Sequence, residues 1–267
     1  VSQQFASGAL WRGARIQVRV IGALIVRELQ TRFGRENIGF LWMIVEPAML
    51  AIGITVIHFV IAVPLPEGLQ PIPFYVSGYV PFMLFRYNAI RAGNTILSNR
   101  VLMYHRQVRP LDLLLAATLL EVAASLMVLF LLLYGAAWAG FSPWPERPLL
   151  LIAGLVMMWW LATATSMIVC ALTQFFPGFF ERLIPAFLYL SVPFSGMFFR
   201  IDWLPQRLRE IFVWIPIPQI VDICRLGVWS HLEPNYIRVP YLFGFCGVLT
   251  LVGLFSLSAV RSRIKFS

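Results

Sequence analysis

The chain has 267 residues, 60% of them hydrophobic and only 12% charged, with a mean hydropathy of +0.80. This is too apolar for a water-soluble domain, and its apolar residues fall in long blocks rather than the short alternating segments of a membrane β-barrel. The net charge of +9 comes from basic residues in the gaps between blocks, which points to membrane topology and away from nucleic acid.

In chain order, residues 9–29 come first. Trp11, Ala14, Val18, Ile21 and Ile25 recur at spacings of three and four, while Arg12, Arg15 and Arg19 fall on another face. The pattern predicts an amphipathic helix at the membrane interface, or else a helix packed within a small soluble subdomain. A first span is expected over 39–63, before the turn-rich stretch 64–73, and a second over 74–97 despite Arg86 and Arg91. A basic, polar segment follows at 98–112. Spans three and four are expected at 113–138 and 149–176, separated by Pro143, Pro145 and Pro148, and a short fifth at 184–199. Residues 200–238 are too long and apolar for an exposed loop, yet too interrupted, at Pro216 and Pro218, for two more spans. They predict a re-entrant helical hairpin on the outer side, buried against protein or water at membrane depth. The sixth span is expected at 239–260, before Arg261, Arg263 and Lys265.

The expected fold is therefore an all-α membrane protein of six transmembrane helices, with an N-terminal amphipathic interfacial helix and an outer re-entrant hairpin before the last span. It divides into an N-terminal segment 1–38, a transmembrane domain 39–260 and a tail 261–267. No short apolar stretch behind a basic leader opens the chain, so the first span is expected to stay in the mature protein. With six spans, the side bearing both termini carries 13 of the 21 Lys and Arg residues and the opposite side 6, so both termini are expected in the cytoplasm.

Ionisable groups inside a bilayer cost several kcal/mol and each needs a partner or a purpose. Here they are Glu46, His58, Arg86, Arg91 and Glu121. Glu46, Arg91 and Glu121 lie level with one another, ~10 Å in from the cytoplasmic ends of their spans. Arg91 is expected to pair with Glu46 or Glu121, or else to snorkel to the interface. Arg86 lies deeper with no acid at its level, which marks it as a substrate-pathway residue or a hydrogen-bonded structural arginine. Phe40, Trp42, Phe82 and Tyr87 crowd the same two spans. Aromatic faces suit the passage of sugars, although interfacial belts use the same residues.

The inventory for chemistry is poor. His58, His105 and His231 form no HExxH, there is no GxSxG, and Cys170, Cys224 and Cys246 have no metal-ligand spacing. No metal site, no cofactor and no enzymatic activity are expected. A GxxxxGK[ST] phosphate loop is also lacking, so any ATP-driven step must be supplied by another subunit.

Three blocks carry a family resemblance. They are Arg27-Glu28-Leu29-Gln30-Thr31-Arg32-Phe33 with Gly39-Phe40-Leu41-Trp42 and Glu46-Pro47; Arg106-Gln107-Val108-Arg109-Pro110-Leu111; and Pro216-Ile217-Pro218-Gln219 with Asp222 and Arg225. In these the chain resembles the membrane subunits of ABC-2 type exporters of capsular polysaccharide. The resemblance implies a homodimer in the bacterial inner membrane, bound to cytoplasmic ATPase subunits that hold ATP and Mg. The cargo it implies is a lipid-linked acidic polysaccharide, handed to a periplasmic co-polymerase or export partner. The segment 98–112 would then be the coupling helix that docks on the ATPase through Val101, Tyr104, His105, Arg106 and Arg109; read without the resemblance it is a solvated connector. Competing readings are export of O-antigen, teichoic acid or a small hydrophobic molecule, and a membrane-embedded sugar transferase, for which the required cluster of acids and histidines is lacking.

Overall fold

The computed structural model describes residues 2–33, 41–61, 65–66, 68–99 and 108–264. Among them the chain is helical and contains no strand. The helices are α1 (Ser2–Phe33), α2 (Trp42–Val60), α3 (Pro71–Ser98), α4 (Pro110–Trp138), α5 (Pro148–Phe175), α6 (Phe179–Leu190), α7 (Gln206–Phe212), α8 (Pro216–Val228) and α9 (Val239–Ile264). Proline in the first turn opens α3, α4, α5 and α8, where its missing N–H has no intrahelical partner to lose.

α3 is the central helix. Every side chain from Pro73 to Phe85 is buried, and the helix packs against α5, α4, α2 and α8. This explains why α3 survives with two arginines and modest hydropathy: protein, not lipid, surrounds much of it. α5 continues the core by packing against α9 and α8. It approaches α8 closely at Gly154, where a Cβ would lie 2.5 Å from Cys224 Sγ; only a residue without a side chain lets the two helices meet there.

The N-terminal helix is longer than the 9–29 periodicity predicts, and the face it buries is shifted. Leu24 is buried against Leu113 and Ala116 of α4, with Val20, Ile21 and Ile25 beside it. Val18, expected on the same face as Ile21, is 71% exposed. Polar contacts fix the register: Gln17 Nε2 donates to Asp112 Oδ1 at 2.7 Å, and Asp112 Oδ2 accepts the Arg109 N–H at 3.1 Å, capping α4.

The short fifth span differs most from expectation. In place of a helix over 184–199, α6 covers 12 residues and stops at Leu190, and a single 3-10 turn follows at Val192–Phe194. At 1.5 Å per residue α6 is about 18 Å long, short of the ~30 Å hydrocarbon core. Pro193 cannot donate to a continuing helix and Gly196 adopts φ 71°, so the apolar run reads long while the backbone turns. Beyond it lie a 3-10 turn at Ile201–Trp203, then α7 and α8 at 96° to each other. On length and composition, three helices among the described residues can cross a membrane: α4, α5 and the Val239–Val260 part of α9, or four if α7 and α8 count as one broken span.

Candidate functional site

Two polar constellations stand out against the apolar background. The first is on α3. Arg86 places its guanidinium 3.9 Å from the centre of the Tyr189 ring of α6, and its buried Nε has no hydrogen-bond partner among the described residues. Tyr189 is itself 63% exposed, so the cation lies under a ring at the protein surface. One turn further on, Arg91 forms an ion pair with Glu121 of α4 and stands 5.6 Å from the Tyr87 ring. Glu46 of α2 is exposed. This belt joins α3, α4 and α6 through charge and aromatic faces.

Not every predicted pathway residue fits this belt. Phe82 has no exposed surface and packs within the main core. Trp42 opens α2, while Phe40 lies outside the described residues. Of the expected coupling residues, Val101, Tyr104, His105 and Arg106 also lie outside them, and Arg109 stands at the start of α4. Just before that segment, α1, α3 and α4 enclose a polar cleft of about 350 Å³ lined by Arg27, Thr31, Arg91, Asn94 and Asn99. Arg27 Nη1 crosses its edge to Asn99 Oδ1 at 2.6 Å.

The second constellation centres on α8, outside the spans expected to carry intramembrane charge. Arg225 of α8 has no exposed surface. Its Nη1 donates to the Phe199 carbonyl at 2.7 Å and to Asp222 Oδ1 at 3.1 Å, and its Nη2 donates to the Met197 carbonyl at 2.8 Å. The guanidinium also lies 3.9 Å over the Phe74 ring, a distance possible only because a Cβ at position 78 of α3 would meet Nη2 at 2.9 Å and glycine has none. Arg200 completes the group, 2.7 Å from Asp202 and 3.7 Å from Asp222. Buried charges are tolerated when paired and hydrogen-bonded in this way. Alongside, Gln219 donates to the Val213 carbonyl at 2.5 Å and accepts the Arg238 N–H at 2.8 Å. The network ties the chain after α6 to α8 and to the start of α9. Its signal in the sequence was Gln219, Asp222 and Arg225 at three-residue spacing, one polar stripe on an otherwise apolar helix.

A family model described as ABC-2 type transporter matches residues 19–229. The chain is 30% identical over 259 residues to the capsule polysaccharide export inner-membrane protein CtrC of Neisseria meningitidis serogroup B, covering 97% of this chain and 95% of that protein. It is 33% identical over 239 residues to the capsule polysaccharide export inner-membrane protein BexB of Haemophilus influenzae, 90% of each chain. To the polysialic acid transport protein KpsM of Escherichia coli it is 28% identical over 255 residues, 94% of this chain and 96% of that one.

Proposed function

The chain belongs to the ABC-2 type transporter family, and from that premise we propose that it is the permease subunit of an ATP-driven exporter that moves a lipid-linked acidic capsular polysaccharide across the bacterial inner membrane. The observation that carries this reading is the end-to-end similarity to capsule export proteins, at 30% identity across 97% of the chain. The chain is a transporter membrane subunit, not an enzyme. ATP and Mg belong to the ATPase partner.

The finer reading takes α2, α3, α4, α5, α6 with the turn after it, and α9 as six passages, with both termini cytoplasmic and α1 along the interface. Two copies of the chain form the channel, and two ATPases press on the segment between α3 and α4. The segment carrying α7 and α8 folds back from the outer side and faces a periplasmic partner. Arg86, Tyr87, Trp42 and Phe40 line the polymer path in this reading, while Arg91 and Glu121 hold α3 to α4. A guanidinium that, among the described residues, carries no carboxylate attracts an acidic polymer, and an aromatic neighbour lets successive sugars slide without fixed hydrogen-bond geometry. Binding that is weak and repeated at many sites is what passage requires.

The test is co-purification of the chain with its ATPase, reconstitution in proteoliposomes, and ATP-dependent movement of lipid-linked acidic polymer. Complex formation with two copies of each subunit and export that stops without ATP are expected. A chain that binds no ATPase and moves no polymer refutes the reading.

A further inference from the structure

The outer segment treats its arginines in two ways. Arg200 and Arg225 are matched by Asp202 and Asp222. Arg209 and Arg238, among the described residues, form no ion pair with a carboxylate, yet both line one open cleft of about 500 Å³ with Trp214, Tyr236 and Glu210. Cavities of this size hold small-molecule ligands. The cleft is also built rather than incidental. Arg209 Nη1 donates to the Tyr236 hydroxyl at 2.9 Å, and its Nη2 donates to the carbonyls of Asp202 and Leu204 at 2.7 and 2.9 Å. Its buried Nε has no partner among the described residues. Arg238 stands 5.1 Å from the Trp214 ring and has its backbone N–H pinned by Gln219. Trp214, 59% exposed, has its carbonyl held by the Tyr241 hydroxyl at 2.6 Å.

We propose that this cleft is an exit-side subsite for a carboxylate-bearing sugar of the exported polymer. The two guanidiniums supply the charge that a carboxylate seeks. The exposed Trp214 ring offers a face for the C–H surface of a pyranose, and Glu210 at the rim accepts from a sugar hydroxyl. A lipid phosphate would satisfy the arginines but make no use of the tryptophan face, which is why a sugar is the better match. The inference rests on the exporter reading, with the α7–α8 segment outside.

The experiment uses the native complex in phosphatidylcholine nanodiscs, with a galacturonic acid tetramer as probe and maltotetraose as the neutral control. Calorimetry is expected to show binding of the acidic tetramer, weakened by salt, and little binding of the neutral one. Arg238→Gln and Trp214→Leu should each weaken it about tenfold. Arg238→Lys should keep most of the affinity, and Arg207→Gln, at an exposed arginine outside the cleft, all of it. Unchanged melting of the complex separates loss of binding from loss of fold. No binding by the native complex, equal binding of the neutral tetramer, indifference to Arg238→Gln, or displacement of the probe by phosphatidylglycerol added to the discs would each overturn the subsite. If the same complex still exports polymer with ATP, the exporter reading stands and only the subsite falls.

Discussion

Arg225 has no solvent-accessible surface and is held by two carbonyls, one carboxylate and the face of Phe74. Replacing it with leucine leaves Asp222 deprived of its nearest counter-charge and two carbonyls without their donor, a change that costs ~3–5 kcal/mol when a buried pair is broken from one side. The expected result for Arg225→Leu is loss of monodisperse protein in detergent at temperatures where the native chain persists; an unchanged melting curve would refute the network's structural role. Glu146 shows the opposite regime, a surface carboxylate. It accepts hydrogen bonds from Ser230, whose backbone N–H is 2.9 Å away, and these hold its carboxyl below the ordinary carboxylate value. A lowered pKa means the carboxylate is favoured by folding, so its contribution is present at neutral pH and fades as acidification protonates it. The melting difference between native chain and Glu146→Gln should therefore be small but steady at neutral pH, and should fade only as acidification passes below the ordinary carboxylate range. A difference that grows on acidification would contradict the sign.

At the scale of elements, the contact between α5 and α8 makes a test of close packing. In Gly154→Ala the new Cβ would lie 2.5 Å from Cys224 Sγ and 3.1 Å from the Cys224 nitrogen. Helix propensity favours alanine by roughly 1 kcal/mol, but overpacking costs ~1–3 kcal/mol, so the clash wins and the variant should melt lower. Adding Cys224→Ala removes the sulfur and should recover part of the loss, which thermal denaturation in detergent can resolve. A single variant as stable as the native chain would mean the helices separate freely. The ends of these elements were legible in the sequence because proline marks them: Pro110 and Pro148 begin α4 and α5 close to where hydropathy places the spans. α6 was not. Hydropathy averages over side chains and does not register a backbone that turns at Pro193 and Gly196 while its residues stay apolar. The register of α1 was half legible, since Ile21 and Ile25 do pack on α4, but Gln17, a polar residue, joins that face through Asp112. Periodicity in apolar residues cannot see a hydrogen bond between helices. The same blindness hid the Arg200–Asp222–Arg225 group, whose members come together only after the chain folds back, and the ring of Tyr189 over Arg86, which belongs to a helix distant in the sequence.

For the whole molecule, what matters is whether the α3 cation serves transport or architecture. In the reconstituted complex, Arg86→Ala is expected to lower ATP-dependent export of an acidic polymer by about tenfold while leaving assembly with the ATPase intact, the loss expected for one charge-assisted contact. Equal loss of assembly and export would assign Arg86 to structure, and export at the native rate would remove it from the path. The buried arginine network has a further consequence, for biosynthesis. Arg200 leaves the ribosome before Asp222 and Arg225 have been made, and Arg225 in turn needs the carbonyls of Met197 and Phe199 already in place. Until α8 is synthesised, Arg200 has its near neighbour Asp202 as counter-charge, but the carbonyls of Met197 and Phe199 lack the donor that Arg225 brings. Residues 197–200 and α8 therefore reach their buried arrangement together, since each supplies the hydrogen-bond partners that the other needs.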